Sequence, residues 1–102
     1  MIRWHDNFYV SEAAEKKKNK IISSIKSHKL QFGAYVITLA ANGRDVFDLL
    51  PAYMLSSDGY HGRDIEILGI AEGKSDAIEL AAHMIEDVYN KSGEYHIREY
   101  FS

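Results

Sequence analysis

The chain has 102 residues, 46% of them hydrophobic, and a formal net charge of −3 at pH 7. A chain of this length and apolar content can bury one core unaided, so we expect a single α+β domain over residues 1–102. It contains no cysteine, which excludes disulfides, thiolate metal sites and a thiol nucleophile, and which fits a reducing compartment.

The N-terminal residues carry no signature of a signal peptide or of a membrane span. The segment MIRWHDNFYVSEAAEKKKNK has no apolar central stretch, and no apolar run in the chain approaches the roughly 18 residues that a bilayer requires. We therefore expect a cytoplasmic protein without a membrane partner.

The opening segment IRWHDNFYV, rich in aromatic and β-branched residues, predicts a short strand or an extended arm. Ser11 follows as the N-cap of a helix that is predicted to reach about His28. The apolar seam of this helix is short, and Lys18 falls in the middle of it. The seam consists of Ala14, Ile21 and Ile25.

The segment AYVITLAANGRDVFDLL predicts a β-hairpin, because Asn42-Gly43 lies between two alternating runs. A three-residue loop from Ala41 to Gly43 would place Ile37 opposite Phe47, whereas a two-residue turn would place it opposite Asp48. We prefer the three-residue loop, with Gly43 in a left-handed bulge position. One face then carries Tyr35, Ile37, Leu39, Phe47 and Leu49. Pro51 is expected to end or bend the second strand.

Three further elements complete the chain. The segment IEILGIA is apolar on both faces and predicts a strand inside the sheet. Ser75 is the expected N-cap of a second helix, which Gly93 ends. The apolar positions of this helix are Ala77, Ile78, Ala81, Met84, Ile85 and Val88. The closing segment EYHIREYF alternates and predicts a final strand.

The expected order is therefore (β)αβββαβ. The third strand, the second helix and the last strand would form a βαβ unit with two parallel strands. The sequence predicts an α+β fold with a mixed sheet and two helices packed on one face, and the first topology to consider is a ferredoxin-like variant with one additional strand.

The chain contains four characteristic pieces in a fixed order, FYVSE, YVITLA, ILGIAEGKSDAIELAAHMIEDVY and SGEYHIREYF. This set resembles a group of small uncharacterised bacterial single-domain proteins with no known activity. The resemblance covers most of the chain and implies a self-contained domain. It implies no activity, cofactor or catalytic residue.

The segment SDGYHGRD offers one candidate ligand site. Two glycines flank Tyr60, His61 and Arg63, which together present a stacking face, an imidazole and an anion-binding guanidinium. This trio could hold a carboxylate or phosphate, although the segment matches no phosphate-binding motif. A connecting loop with polar surface residues is the alternative.

The charge distribution suggests an interaction surface. Residues 1–30 carry seven basic and three acidic groups, whereas residues 31–102 carry five basic and twelve acidic groups. This asymmetry is either neutralised inside one chain or favours association between chains. The candidate surface is the first helix, with Lys16, Lys17, Lys20, Ile21 and Ile25. The lysines form no single stripe, so a nucleic-acid partner is not favoured.

Evidence for catalysis is absent from the sequence. His83 has Glu79, Glu86 and Asp87 at helical spacing, but a solvated helix surface has the same pattern. Glu72 and Asp76 make the turn between Gly69 and the second helix acidic, which disfavours an anion there. We expect no metal and no cofactor. The leading hypothesis is a self-associating interaction or regulatory domain, and the alternative is an anion-binding or catalytic protein that uses the Tyr60 loop.

Overall fold

The computed structural model describes residues 2–27, 33–40, 46–56 and 64–101. They form a four-stranded sheet in the spatial order β1-β4-β2-β3. Its strands are β1 (Ile2–Val10), β2 (Ala34–Leu39), β3 (Phe47–Pro51) and β4 (Ile65–Glu72). Strand β4 is parallel to β1 and antiparallel to β2, which is antiparallel to β3. The predicted mixed sheet and the interior position of β4 are confirmed, and β1 and β3 are the sheet edges.

The helices are α1 (Glu12–Glu15), α2 (Lys18–Lys26), α3 (Lys74–Ser92) and α4 (Ile97–Phe101), with a 3₁₀ helix over Ala52–Ser56. Ser11 is the N-cap of α1, as predicted, and its Oγ accepts the N–H of Ala14 at 3.1 Å. The predicted first helix is divided in two, because Lys16 and Lys17 form a turn between α1 and α2.

The predicted C-terminal strand is wrong, since Ile97–Phe101 is helical. Ile97 and Phe101 are four positions apart, which suits one face of a helix as well as one face of a strand. Both side chains are buried, whereas Tyr95 is 64% exposed. The parallel partner of β4 is therefore β1, and the predicted βαβ unit does not form.

Helices cover both faces of the sheet, which corrects the prediction that they share one face. On one side, α3 and α4 enclose a cluster that we call the α3 core. Its larger members are Ile37, Leu68, Leu80, Met84, Val88, Ile97 and Phe101. On the other side, α1, α2 and the 3₁₀ helix enclose the α2 core. Its larger members are Ile21, Ile25, Val36, Leu55, Ile67 and Ile70. A strand that is apolar on both faces, such as β4, requires cover on both.

The β2–β3 hairpin forms with a register two residues away from the expected one. Ile37 lies opposite Leu49 rather than Phe47. The N–H of Ala40 donates to the carbonyl of Val46 at 3.0 Å, so these two residues flank the connection between the strands. Residues 41–45 lie outside the described residues, and the expected left-handed conformation of Gly43 therefore stays a prediction. A shift of two keeps every side chain on its face. All five apolar residues predicted to share a face do contribute to the α3 core.

The ends of α3 match the predictions in part. Gly93 has φ 76° and ends the helix in the left-handed conformation, as expected. Gly73, not Ser75, occupies the N-cap position. Ile78, which was predicted to lie on the apolar face of this helix, is 53% exposed. Leu80, which was not predicted there, is buried.

Candidate functional site

The candidate loop predicted from sequence lies outside the described residues. Tyr60, His61 and Arg63 all fall within residues 57–63. Their role as a ligand site stays a prediction.

The candidate surface on the first helix is divided by the fold. Lys16, Lys17 and Lys20 are exposed, but Ile21 and Ile25 are only 2% and 4% exposed. The two isoleucines pack in the α2 core rather than on the surface where the sequence analysis placed them, while the interaction surface itself stays a prediction. A contact surface formed by the three lysines stays a prediction.

Part of the basic charge of this helix is neutralised within the chain. Lys17 Nζ lies 2.8 Å from Glu72 Oε1 at the end of β4. Lys18, which interrupts the apolar seam, lies 5.6 Å from the centroid of the Phe8 ring. These contacts favour the interpretation that the charge asymmetry serves internal packing.

A side-chain cluster closes the crevice at the carboxyl ends of β1 and β4. These neighbouring parallel strands lead into helices on opposite faces, an arrangement that often creates a ligand crevice. Here Asp76 accepts the N–H of Glu72 at 2.8 Å and the hydroxyl of Ser11. The carboxylate of Asp76 thus occupies the backbone donor that an anion would otherwise use.

A second polar cluster joins β1 to the C-terminal half of α3. The hydroxyl of Tyr9 donates to Asp87, which also lies 3.1 Å from Lys91 Nζ. Burial and this hydrogen bond raise the pKa of Tyr9, while the hydrogen bonds from Tyr9 and Lys91 lower the pKa of Asp87. The bond to Asp87 in turn raises the pKa of Lys91. Tyr9 therefore keeps its proton and cannot act as a base at neutral pH.

Next to this cluster is a pocket of about 380 Å³ between β1, the end of α3 and α4. Its lining consists of His5, Asn7, Tyr9, Lys91, Tyr100 and Phe101. Its volume is within the range of small-molecule sites.

His83 does not belong to a metal site in the described part of the chain. Its side chain is exposed, and its ring meets Tyr9 edge-on with centroids 6.5 Å apart. Among the described residues there is no group of three or more potential metal ligands.

The edge of the sheet at β3 has backbone groups without a hydrogen-bond partner among the described residues. Ala40 and Val46 are a hydrogen-bonded pair, and bonded and non-bonded pairs alternate along an antiparallel ladder. Phe47, Leu49 and Pro51 therefore turn their backbone groups away from β2. Since proline has no N–H, the described strand β3 offers two donors along this edge, those of Phe47 and Leu49.

An apolar stripe on α3, formed by Ile78, Ile85 and Tyr89, flanks this edge. Ile78 and Tyr89 are 53% and 42% exposed, and Ile85 packs on the α3 core together with residues of β3. Ile78 lies about 180° around the helix from Asp87, which faces β1. The stripe therefore lies on the β3 side.

An exposed aromatic pair continues the stripe beyond the end of α3. The ring of Tyr95 stacks on that of Tyr89, with centroids 4.4 Å apart and planes inclined by 14°. Exposed apolar groups arranged side by side are typical of contact surfaces.

Sequence reasoning missed both the pocket and the stripe. His5, Asn7 and Tyr9 recur at every second position of a predicted strand, and Asp87 and Lys91 are four apart on a predicted helix. These spacings could have indicated two polar faces, but not that the faces meet. The C-terminal helix that completes the pocket had been predicted as a strand.

Comparison of the chain with protein-family models, with curated proteins and with solved structures found no match. The resemblance to a group of small bacterial proteins stays a prediction. In the described ranges, no helix is long and apolar enough to cross a membrane.

Proposed function

We propose that this chain is a small interaction domain that self-associates through the edge of β3. The observation that carries the proposal is the adjacency of two surfaces that no described residue covers, the outward backbone groups of Phe47 and Leu49 and the exposed stripe on α3. A second copy of the chain can cover both surfaces in a single interface. A partner that contacted only one of them would leave the other exposed.

Twofold symmetry allows two registers that use both outward N–H groups. In the first, Leu49 of each copy pairs with Leu49 of the other, and the N–H of Phe47 reaches the carbonyl of Pro51. In the second, Phe47 pairs with Leu49, which sets the two Asp48 side chains directly opposite each other. Like charges in that position destabilise a strand pair. The register centred on Leu49 is therefore the one that we propose.

The helices strengthen this arrangement. An antiparallel pair of β3 strands has its twofold axis perpendicular to the sheet, so both α3 helices lie on the same face of the joined sheet. The stripe of each copy then faces the stripe of the other above the β3 pair. Burial of Ile78 and Tyr89 adds apolar area to an interface with only four backbone hydrogen bonds.

The opposite edge is a poorer surface for pairing. Strand β1 carries the charged residues Arg3 and Asp6, and its register with β4 breaks between Trp4 and Tyr9. Charges and bulges both discourage strand addition at an edge. The short β3 strand and its terminal proline keep the β3 contact small, so we expect dissociation constants of micromolar order.

The proposed interface depends little on charge. Backbone hydrogen bonds and apolar contacts are weakly screened by salt, whereas a contact through Lys16 and Lys20 would weaken as salt increases. A cytoplasmic location is part of the proposal and rests on the composition.

The absence of cysteine allows a clean cross-linking experiment. Leu49→Cys should form a covalent dimer on mild oxidation, because the Cα atoms of a hydrogen-bonded pair are about 5.5 Å apart, within disulfide range. Asp48→Cys is the matched control, because in this register the two introduced cysteines are diagonal neighbours at about 7–8 Å. Light scattering during size-exclusion chromatography would give the mass of the unmodified chain.

The expected result is a concentration-dependent dimer that moderate salt leaves intact and that Leu49→Cys traps. A monomer up to roughly 200 μM would overturn the proposal. Preferential trapping by Asp48→Cys would overturn the register.

A further inference from the structure

The pocket beside Tyr9 has a donor-rich lining. Of the six described residues that line it none is acidic, since Asp87 is engaged with Tyr9 and Lys91 and does not line it. One of the three N–H groups of Lys91 is directed at Asp87, which leaves two for another acceptor. The amide of Asn7 and the hydroxyl of Tyr100 can also donate.

The orientation of His5 adds a further donor. Its Nδ1 accepts the backbone N–H of Asn7 at 3.2 Å. In the neutral ring the proton is then on Nε2, which becomes a hydrogen-bond donor. The ring itself is held edge-on against Phe101, with centroids 5.4 Å apart.

An irregular segment of β1 carries His5 and Asn7. Four residues, His5 to Phe8, lie between the pairs Trp4–Ile67 and Tyr9–Gly69, opposite the single residue Leu68. Extra residues in a strand redirect side chains and occur often beside functional sites. The irregular segment supplies two of the polar lining residues.

The floor of the pocket is aromatic. Phe101 is 2% exposed, and the rings of Tyr9 and Tyr100 meet it edge-on with centroids 6.1 and 5.1 Å away. Phe101 supports this floor from below, and the ring of Tyr100, which is 39% exposed, can contact a flat apolar ligand while an anionic group reaches the donors.

We propose that this pocket binds a small aromatic carboxylate, with the ring against the exposed side of Tyr100 and the carboxylate on Lys91 and His5. Lys91 supplies the charge that selects an anion over a neutral analogue. Its pairing with Asp87 holds its amine near the pocket mouth. The described lining includes no residue of β3, although the ring of Phe101 meets that of Phe47 with centroids 6.1 Å apart. Ligand binding and self-association are therefore measured by separate readouts, amide shifts for the first and molecular mass for the second.

The test is a titration of the ¹⁵N-labelled protein with sodium benzoate, followed by backbone amide shifts. Saturable shifts should centre on Asn7 and Tyr100. Benzamide lacks the charge and acetate lacks the ring, and each should bind at least about tenfold more weakly.

Two lysine variants on α3 provide the matched comparison. Lys91→Gln should weaken benzoate binding by about ten- to a hundredfold. Lys74→Gln, an exposed lysine at the other end of α3, should leave it unchanged. Amide spectra outside the pocket report whether each variant keeps the fold.

Three outcomes would overturn the proposal. They are the absence of saturable shifts up to about 20 mM benzoate, equal affinity for benzamide, and equal affinity of Lys91→Gln and the unmodified protein. None of these results bears on the β3 interface.

Discussion

The hydroxyl of Tyr9 on the edge strand donates a hydrogen bond to the carboxylate of Asp87 on α3, 78 positions further along the chain. This bond ties β1 to the helix that covers its face of the sheet, and it shifts both groups away from their usual titration behaviour. Its contribution to stability should therefore depend on pH.

At acid pH, the Tyr9–Asp87 bond should lose its stabilising effect. The pKa of Asp87 is lowered in the folded state from the usual 3.8, so its contribution is complete above that value and is lost as the pH falls below it. The melting temperature of Tyr9→Phe should lie below that of the unmodified protein at neutral pH, and the difference should shrink below about pH 4. Tyr95→Phe, whose ring stacks on Tyr89 instead, should show no such trend. A constant difference between pH 7 and the acid limit would show that the bond does not couple to Asp87.

At alkaline pH, Tyr9 should remain protonated when an ordinary phenol ionises. Its raised pKa means that stability is retained below pH 10, the usual value, and decreases as the pH rises above it. The phenolate absorbance at about pH 11 should be the same in Tyr9→Phe as in the unmodified protein. Loss of one tyrosine's absorbance in Tyr9→Phe would contradict the shift.

Ser11 should contribute more to stability than Ser75. Ser11 Oγ caps α1 and also donates to Asp76, which links the helices on the two faces. We expect Ser11→Ala to lower the free energy of unfolding by about 1–2 kcal/mol. Ser75→Ala should change it by less than about 0.5 kcal/mol, because Gly73 is the N-cap of α3. Urea denaturation of both variants measures the difference, and equal effects would contradict the assignment of the cap.

Substitutions at Met84 and Ile78, both on α3, should have separate effects, the first on folding stability and the second on association. Met84 is fully buried in the α3 core, so Met84→Ala should lower the free energy of unfolding by about 2–5 kcal/mol. Ile78 is 53% exposed, and Ile78→Ala should change the monomer by less than about 0.5 kcal/mol. It should nevertheless raise the dimer dissociation constant several-fold. Denaturation at low concentration and sedimentation at high concentration distinguish the two effects, and unchanged association in Ile78→Ala would exclude the stripe from the interface.

The left-handed backbone conformation at the end of α3 should require glycine at position 93. With φ at 76°, a side chain with a Cβ atom is strained there although no neighbouring atom lies within 4 Å. Gly93→Ala should cost about 1–2 kcal/mol, and Gly93→Asn should cost less because asparagine tolerates this conformation. Thermal unfolding of the two variants provides the comparison. An alanine variant as stable as the asparagine variant would argue against the backbone origin of the effect.

The features predicted correctly from sequence are mostly local ones. Ser11 and Gly93 were identified as helix ends because a cap depends on the few residues around it. The alternation of apolar residues correctly predicted which face of the sheet each hairpin residue occupies. It excludes registers that differ by an odd number of residues, but it allows those that differ by an even number. The loop length decides among these even shifts, and the apolar pattern carries no information about it.

The incorrect predictions concern elements whose pattern fits two structures. The spacing of Ile97 and Phe101 is compatible with both a strand and a helix, and the structure has a helix there. The strand that pairs in parallel with β4 is β1, which is far from β4 in the sequence. The pocket depends on the same choice, because α4 brings Tyr100 and Phe101 to His5 and Asn7.

The sequence by itself determined the α+β class, the mixed sheet, the interior position of β4 and the parity of the hairpin, because periodicity and local capping act over a few residues. The tertiary structure alone decided that helices cover both faces, that β1 pairs with β4, and that Asp76 closes the crevice between them. It also decided that Tyr9 meets Asp87. These relationships join residues distant along the chain, and competition among alternative packings of the same apolar faces selects them.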